Sequence, residues 1–180
     1  MYALAYNPGI IVLMANSPAG PPRVGSTTGP RLFSEDQATA FLGLIRAGTA
    51  LERALDRGLA AEQDIGLHQF EVHLFLASSS PDHSLPMTEL RRRTPLSQSR
   101  VSRVVSGLEA RGLVRRETDP TDSRAITVTL TPPGRAALNA ALPRHHRDLQ
   151  EHLFSILTET ELRQLATITT KLLASDPYQR

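Results

Sequence analysis

The feature that most restricts the possible fold is a change of hydrophobic period at Gly112. Before it, apolar residues recur at the spacing of one helix face, namely Val101, Val104, Val105 and Leu108, and glycine is typical just after the end of a helix. After it, two short runs rich in β-branched residues, 113–119 and 125–130, flank the turn-forming stretch "PTDSR". This order predicts a helix that leads directly into a two-stranded β-hairpin.

A shorter helix is predicted immediately upstream. Thr88 is a possible N-cap for it, and Pro95 disfavours helical backbone at Thr94, so that this helix has to end there. Ser97 is then placed to cap the next helix. Helix, turn, helix and hairpin in this order are typical of a winged helix-turn-helix domain.

Composition favours helices for the rest of the chain. Hydrophobic residues make up 40% of the 180 residues but aromatic residues only 4%, with no tryptophan, so the core has to be built from Leu, Ala, Val and Ile. Ser34, Thr131 and Thr158 are each placed to cap a further amphipathic helix, and Pro132 suits a first helical position. The predicted fold is mainly α with a small β-hairpin wing.

The helices at the two ends are too long and too apolar to be covered by the central unit alone. We therefore expect dimerisation helices in residues 32–66 and 136–175, on either side of a winged-helix part in residues 67–135. The alternative is that these helices pack on each other within one chain. Residues 1–31 are rich in Pro, Gly, Ser and Thr without any period, which predicts a flexible leader.

Two absences restrict the functional class. The chain has no cysteine, which excludes disulfides, thiolate metal sites and thiol redox sensing. Its longest apolar run, "IIVLMA", is too short to span a bilayer. The sequence therefore predicts a soluble, cytoplasmic protein without a membrane partner.

Positive charge is concentrated in the winged-helix part. Nine arginines and five acidic residues lie between Met87 and Arg124, which indicates a polyanionic partner. The polar face of the second helix combines small hydroxyls with arginine, a composition that suits insertion into a DNA groove, although an ordinary amphipathic helix with incidental arginines remains the alternative. The candidate DNA-binding residues are Ser97, Gln98, Ser99, Arg100, Ser102 and Arg103 on the helix, with Arg115, Arg116 and Arg124 on the hairpin.

These segments resemble the MarR family of bacterial transcriptional regulators. The resemblance lies in "LSQSRVSRVVSGLEARGLVRRE", "DPTDSR" and "LTPPG", which match the recognition helix, the wing and the entry to the first C-terminal helix. It implies a homodimer on a pseudo-palindromic operator, with the recognition helix in the major groove. By matching position, Arg124 is the wing arginine that reaches the minor groove and Asp122 orients it. Arg91 departs from the pattern, because alanine is usual there. Its side chain is expected either to extend outward to a phosphate or to hold the two helices slightly apart.

The resemblance also implies a small phenolic or aromatic effector. The candidates for lining its pocket are Phe41, Ile45, His68, Phe70 and His73, each of which is alternatively a core residue. His145, Asp148 and His152 share a helix face, but the adjacent basic residues and the lack of a clear fourth ligand argue against a metal site. No metal and no other cofactor is predicted.

The function predicted from sequence is a homodimeric, ligand-responsive, DNA-binding repressor. The alternative is a winged-helix module that binds another protein and not DNA. An enzyme is not expected, because the chain has no nucleophile elbow, phosphate-binding loop or His-Glu-x-x-His motif.

Overall fold

The computed structural model describes residues 33–118 and 125–175. The predicted leader lies outside these ranges, and so do Asp122 and Arg124 at the predicted wing tip. The chain divides into two compact units, the first ending at Gly48 and the second beginning at Thr49.

The elements confirm a mainly α fold with a small antiparallel sheet. In chain order they are α1 (Glu35–Gln63), α2 (Leu67–Ala77), β1 (Ser84–Pro86), α3 (Met87–Arg93), α4 (Gln98–Ala110), β2 (Val114–Thr118), β3 (Ile126–Leu130), α5 (Pro132–Leu149) and α6 (Glu159–Leu173). A π-helical segment, Gln150–Phe154, follows α5 directly. Among the described residues, no helix combines the length and the apolar character needed to cross a membrane.

Side-chain caps start three of the helices where the sequence predicts them. The Ser34 hydroxyl accepts a hydrogen bond from the Gln37 amide at 3.1 Å, and the Gln37 side chain accepts one from the Ser34 amide at 2.8 Å. Thr158 forms the same reciprocal box at the start of α6. Thr131 accepts from the Gly134 amide at 3.1 Å, with Pro132 at the first position of α5.

The start of α3 differs from the prediction. Thr88 lies inside the helix, and Pro86 is its N-cap. The cause is strand β1, because pairing of Leu85 with Val128 keeps the chain extended up to Pro86 and the helix begins directly afterwards. At the other end, Thr94 is extended, with φ −102° and ψ 147°, as expected before a proline.

The wing is a three-stranded sheet in the order β1-β3-β2, with both pairs antiparallel. The sequence predicts β2 and β3 but not β1, because three residues are too few for a period and follow a Ser-rich turn. Val128 and Leu130 are buried, and the half-buried Ile126 packs against the same core. The sheet is therefore held against the helices by alternate residues of its central strand.

Two buried clusters form the core of the second unit. The first lies between α2, α3, α4 and the sheet, and comprises Val72, Leu76, Leu85, Met87, Leu90, Val101, Val105, Leu108, Leu113, Val114, Val128 and Leu130. The second joins the C-terminal half of α1 to α2 and α5, and comprises Leu55, Leu59, Ile65, Leu67, Phe70, Leu138 and Ala141. Helix α2 contributes to both clusters, so it links the winged-helix part to α1 and α5.

The end of α4 is tied to the start of α5. Gly112 has φ +71°, a conformation that favours glycine, and the Leu113 amide donates back to the Leu108 carbonyl at 3.0 Å. The Thr131 hydroxyl lies 2.7 Å from the Gly112 carbonyl oxygen and 2.9 Å from that of Leu113. The Thr131 amide also donates to Leu113, at 3.1 Å. Helix α5 therefore starts from a fixed point beside the wing.

Candidate nucleic-acid interface

One face of helix α4 is buried in the core, and the opposite face is exposed to solvent. Val101, Val105 and Leu108 are each 0% exposed, so rotation of the helix about its axis would expose core residues to water. Arg100 and Arg103 lie on the exposed side. The face predicted from the sequence is thus the outward face in the structure.

Most of the predicted interface residues that the structure describes are accessible. The exposed ones are Ser97, Gln98, Ser99, Arg100, Arg103, Arg115 and Arg116, whereas Ser102 is only partly exposed. Ser97 is the residue before α4, but its side chain makes no capping hydrogen bond; its hydroxyl lies 3.3 Å from that of Ser99.

The arginines of this region differ in how their charge is balanced. Within residues 33–118 and 125–175, neither Arg100 nor Arg103 forms a salt bridge. Arg115 pairs with Glu117, its Nε lying 3.3 Å from the carboxylate. The exposed face of α4 therefore carries two positive charges that no described carboxylate balances.

Helix α3 carries a compact ion cluster next to this face. The Nε atoms of Arg92 and Arg93 lie 3.0 Å and 2.9 Å from the two carboxylate oxygens of Glu89. Hydrogen bonds from Arg92 and then Arg93 lower the pKa of Glu89 to about 2. The carboxylate therefore stays ionised and offsets part of the basic charge of α3, while stabilising the exposed surface little.

Arg116 is engaged within the protein. Its Nε donates to the Glu109 carboxylate at 2.7 Å, its Nη2 contacts the same oxygen, and its amide donates to the other oxygen at 3.0 Å. These bonds lower the pKa of Glu109. Arg116 thereby braces β2 against the C-terminal half of α4, a role that its place in the sequence does not reveal.

Arg91 belongs to α3, and its side chain extends to α4. Its Nη2 donates to the Ser102 hydroxyl at 3.3 Å, and its side chain is partly buried. Leu90 and Val101 are nevertheless fully buried, so Arg91 does not open these two core positions to water. The sequence identifies Arg91 as a departure from the pattern of the family that the chain resembles, but it does not predict this contact.

The predicted effector-binding residues have different surroundings. Phe41 and Ile45 belong to the first unit and are 64% and 56% exposed. In the second unit, His68 lies between the carboxylates of Glu52 and Glu71, at 3.5 Å and 3.1 Å. Phe70 is buried and its ring centroid is 4.4 Å from that of His145. The role of these residues in ligand binding stays a prediction.

His73 is fully buried, and both of its ring nitrogens lack a hydrogen-bond partner among the described residues. Burial, together with the positive charge of Arg111, lowers its pKa to about 4 from the usual 6.5. The folded state therefore contains a neutral imidazole throughout the pH range in which an unfolded chain would take up a proton.

This difference predicts acid sensitivity of the fold. As pH falls from 6.5 to 4, the unfolded state binds a proton at His73 that the folded state excludes, so stability falls by up to about 3 kcal/mol. We expect His73→Leu to flatten this dependence in urea denaturation measured between pH 7 and pH 4.5. The same loss of stability in the variant as in the original chain would contradict the assignment.

A group of possible metal ligands lies at the π-helical segment. The ligand atoms of Asp148, Glu151 and His152 are within 4.8 Å of one another. His145, which shares the helix face with two of them, stacks on Phe70 instead. Asp148 is the buried member of the group. Both of its carboxylate oxygens accept hydrogen bonds from Arg144 Nε at 2.9 Å, so this carboxylate is already paired with a cation.

Known proteins resemble this chain in both sequence and structure. Residues 63–125 match a sequence model of the MarR family. The transcriptional repressor MprA of Escherichia coli is 35% identical over 101 residues, which are 56% of this chain and 57% of MprA. The chain therefore matches less than two thirds of the length of that relative.

Two solved structures extend the likeness over most of the chain. A MarR family transcriptional regulator from Streptomyces coelicolor, in complex with DNA, is 30% identical with a TM-score of 0.75, over 84% of this chain and 96% of that one. BpsR of Bordetella bronchiseptica, whose DNA binding is regulated by 6-hydroxynicotinic acid, is 26% identical with a TM-score of 0.68, over 82% of this chain and all of that one.

Proposed function

The chain belongs to the MarR family of transcriptional regulators, and on this premise we propose that it is a sequence-specific DNA-binding repressor. The observation that carries the proposal is the outward face of α4, where Arg100 and Arg103 are exposed without a salt bridge in the described part of the chain. The combination of these two guanidinium groups with small hydroxyls on one exposed helix face suits a groove of DNA.

The shape and chemistry of α4 suit the major groove of DNA. A guanidinium can donate two hydrogen bonds to O6 and N7 of guanine, which discriminates against other bases by about 1–3 kcal/mol. Ser99 and Ser102 are small, so the helix backbone can approach the base edges closely. Gln98 is exposed in the first turn of the helix, the part that contacts bases in helix-turn-helix proteins.

The wing completes the proposed interface. Arg115 is exposed on β2, and its partner Glu117 is exposed as well, so that a phosphate can replace the carboxylate. Arg124 and Asp122, which lie outside the described residues, are included because their positions match the family's wing. Arg116 contributes by holding the wing against α4.

We further propose that the protein acts as a homodimer. Exposed apolar side chains occur on α1, at Phe41 and Leu44, and on α6, at Ile168 and Leu172. Helix α6 is amphipathic but has no buried residue within the single chain. A second copy would remove both surfaces from water, and two-fold symmetry would place two α4 helices on successive turns of DNA.

The effector is proposed to be a small phenol or aromatic acid. The support is the likeness to BpsR, whose DNA binding is regulated by a hydroxylated aromatic acid. Titration of a protein–DNA complex with 6-hydroxynicotinic acid tests one member of this class. We expect the acid to release DNA, and we expect Phe70→Leu to change the concentration of acid at which half of the DNA is released.

Selection of bound sequences from random duplex DNA tests the proposed function. We expect enrichment of a two-fold symmetric motif whose half-sites lie about one helical turn apart. Absence of any enriched sequence would overturn the proposal and would leave the alternative, a winged-helix module that binds another protein.

One arginine of α4 carries a specific prediction. Arg103→Ala should relax the preference at one base pair of each half-site by about 1–3 kcal/mol, because the bidentate contact to guanine is lost. Binding to single-base variants of the selected site measures this. The control is Arg163→Ala on α6, which removes the same charge from another helix and should leave the preference unchanged. An unaltered preference in Arg103→Ala would contradict its role as a reader.

A further inference from the structure

The guanidinium of Arg91 is only partly satisfied by hydrogen bonds, although part of it is buried. Its Nη2 donates to Ser102 on α4, while its Nε is buried and has no hydrogen-bond partner in the described residues. A buried donor without a partner destabilises a protein, and an apolar side chain of similar length would fill the same space without that penalty. The position therefore uses the guanidinium for something other than stability.

The charge of Arg91 is also unbalanced. Glu89, the acid of the same helix, pairs with Arg92 and Arg93 on the outer side. Within the described ranges, no carboxylate lies within salt-bridge distance of Arg91. The positive charge is thus directed at the Ser102 hydroxyl.

This contact changes what the Ser102 hydroxyl can do. A serine hydroxyl ordinarily donates one hydrogen bond and accepts two, so it can face either a donor or an acceptor on a base. Here the oxygen already accepts from Arg91, and the adjacent positive charge repels a second donor. The hydroxyl keeps its own hydrogen, which can be donated only to an acceptor other than Arg91.

We propose that Arg91 is a positioning residue that makes Ser102 a directional hydrogen-bond donor to DNA. The pair would select a base that presents an acceptor in the major groove, namely guanine, adenine or thymine, and reject cytosine, which presents the N4 amino group. This inference rests on the proposed DNA-binding function and adds a specificity determinant from outside the recognition helix.

A double-mutant cycle on the selected DNA site tests the inference. The proteins are the original chain, Arg91→Met, Ser102→Ala and the double variant, each titrated with duplexes carrying all four bases at each half-site position. In the original chain, one position should discriminate against cytosine by roughly two- to tenfold, the range of one net hydrogen bond. Each single variant should lose this discrimination, and the double variant should lose no more.

The matched control is Arg92→Met, which removes the same charge from the neighbouring residue without touching Ser102. It should weaken binding equally on all duplexes and keep the discrimination. Unfolding by urea separates positioning from folding, because Arg91→Met should be at least as stable as the original chain.

Three results would overturn the inference. The first is a loss of discrimination in the double variant that equals the sum of the two single losses. The second is unchanged discrimination in Arg91→Met. The third is a loss of affinity in Arg91→Met that is equal on all duplexes, as in the control, which would make Arg91 a phosphate contact. Failure of the proposed function is distinguishable, because the original chain would then prefer no duplex at all.

Discussion

Replacing Gly134 with alanine is expected to lower the free energy of unfolding by about 3 kcal/mol, the upper part of the range for overpacking. An added Cβ at this position would lie 1.9 Å from the Leu113 carbonyl oxygen and 2.7 Å from Leu130 Cδ1. Both distances are far inside van der Waals contact. The first turn of α5 therefore passes the end of α4 at a separation that only glycine allows.

The neighbours of Gly134 have little freedom to move. The Leu113 carbonyl is a backbone atom, and it accepts hydrogen bonds from the amide and the hydroxyl of Thr131. A shift that relieves the clash would break these bonds and pull α5 away from the wing. We expect the urea midpoint to fall with an unchanged slope, the sign of lost stability without a change in the exposed area.

Gly107→Ala is the matched control. Gly107 lies inside α4, and the nearest atom to an added Cβ is the far end of the Gln69 side chain at 3.8 Å. Alanine should therefore be tolerated and should stabilise the helix by up to about 1 kcal/mol. A Gly134→Ala protein as stable as the original chain would contradict the close approach of α5 to Leu113.

Gly58→Ala is expected to lower the free energy of unfolding by about 2 kcal/mol, for a different reason. Its Cβ would lie 2.0 Å from Asp148 Oδ2 and 2.9 Å from Arg144 Nε. Asp148 is buried and fixed by Arg144, which also contacts Glu62 near the end of α1. Alanine would push apart an ion-pair network that joins α1 to α5.

A double-mutant cycle with Asp148→Ala identifies the source of this loss. Removal of the carboxylate vacates the space that the new methyl group needs, so Gly58→Ala should cost less in the Asp148→Ala background than in the original chain. Gly48→Ala is the control on the same helix, since an added Cβ there meets nothing within 4 Å. Equal costs of Gly58→Ala in both backgrounds would show that the clash is not with Asp148.

Local signals explain what could be predicted from the sequence. The caps at Ser34, Thr131 and Thr158 depend on contacts within three residues, so they can be read from the chain directly. The buried face of α4 follows from its period, and Gly112 marks its end. These signals also place the exposed serines and arginines of the candidate interface.

Contacts distant in sequence explain what could not be predicted. Strand β1 exists because β3, more than forty residues later, pairs with it. Arg116 and Arg91 look like further basic residues of a DNA-binding surface, but one braces the wing through Glu109 and the other holds Ser102. Charge alone does not distinguish a cation that meets DNA from one that positions its neighbours.

Whether α4 reads DNA sequence can be measured as the ratio of two dissociation constants. We would measure binding to the selected site and to a scrambled duplex of equal length and composition, at several salt concentrations. Both affinities should fall steeply with salt, because phosphate contacts release counterions. If α4 reads sequence, the selected site should bind about a thousandfold or more tightly than the scrambled duplex at physiological salt. A ratio near one would contradict sequence reading by α4.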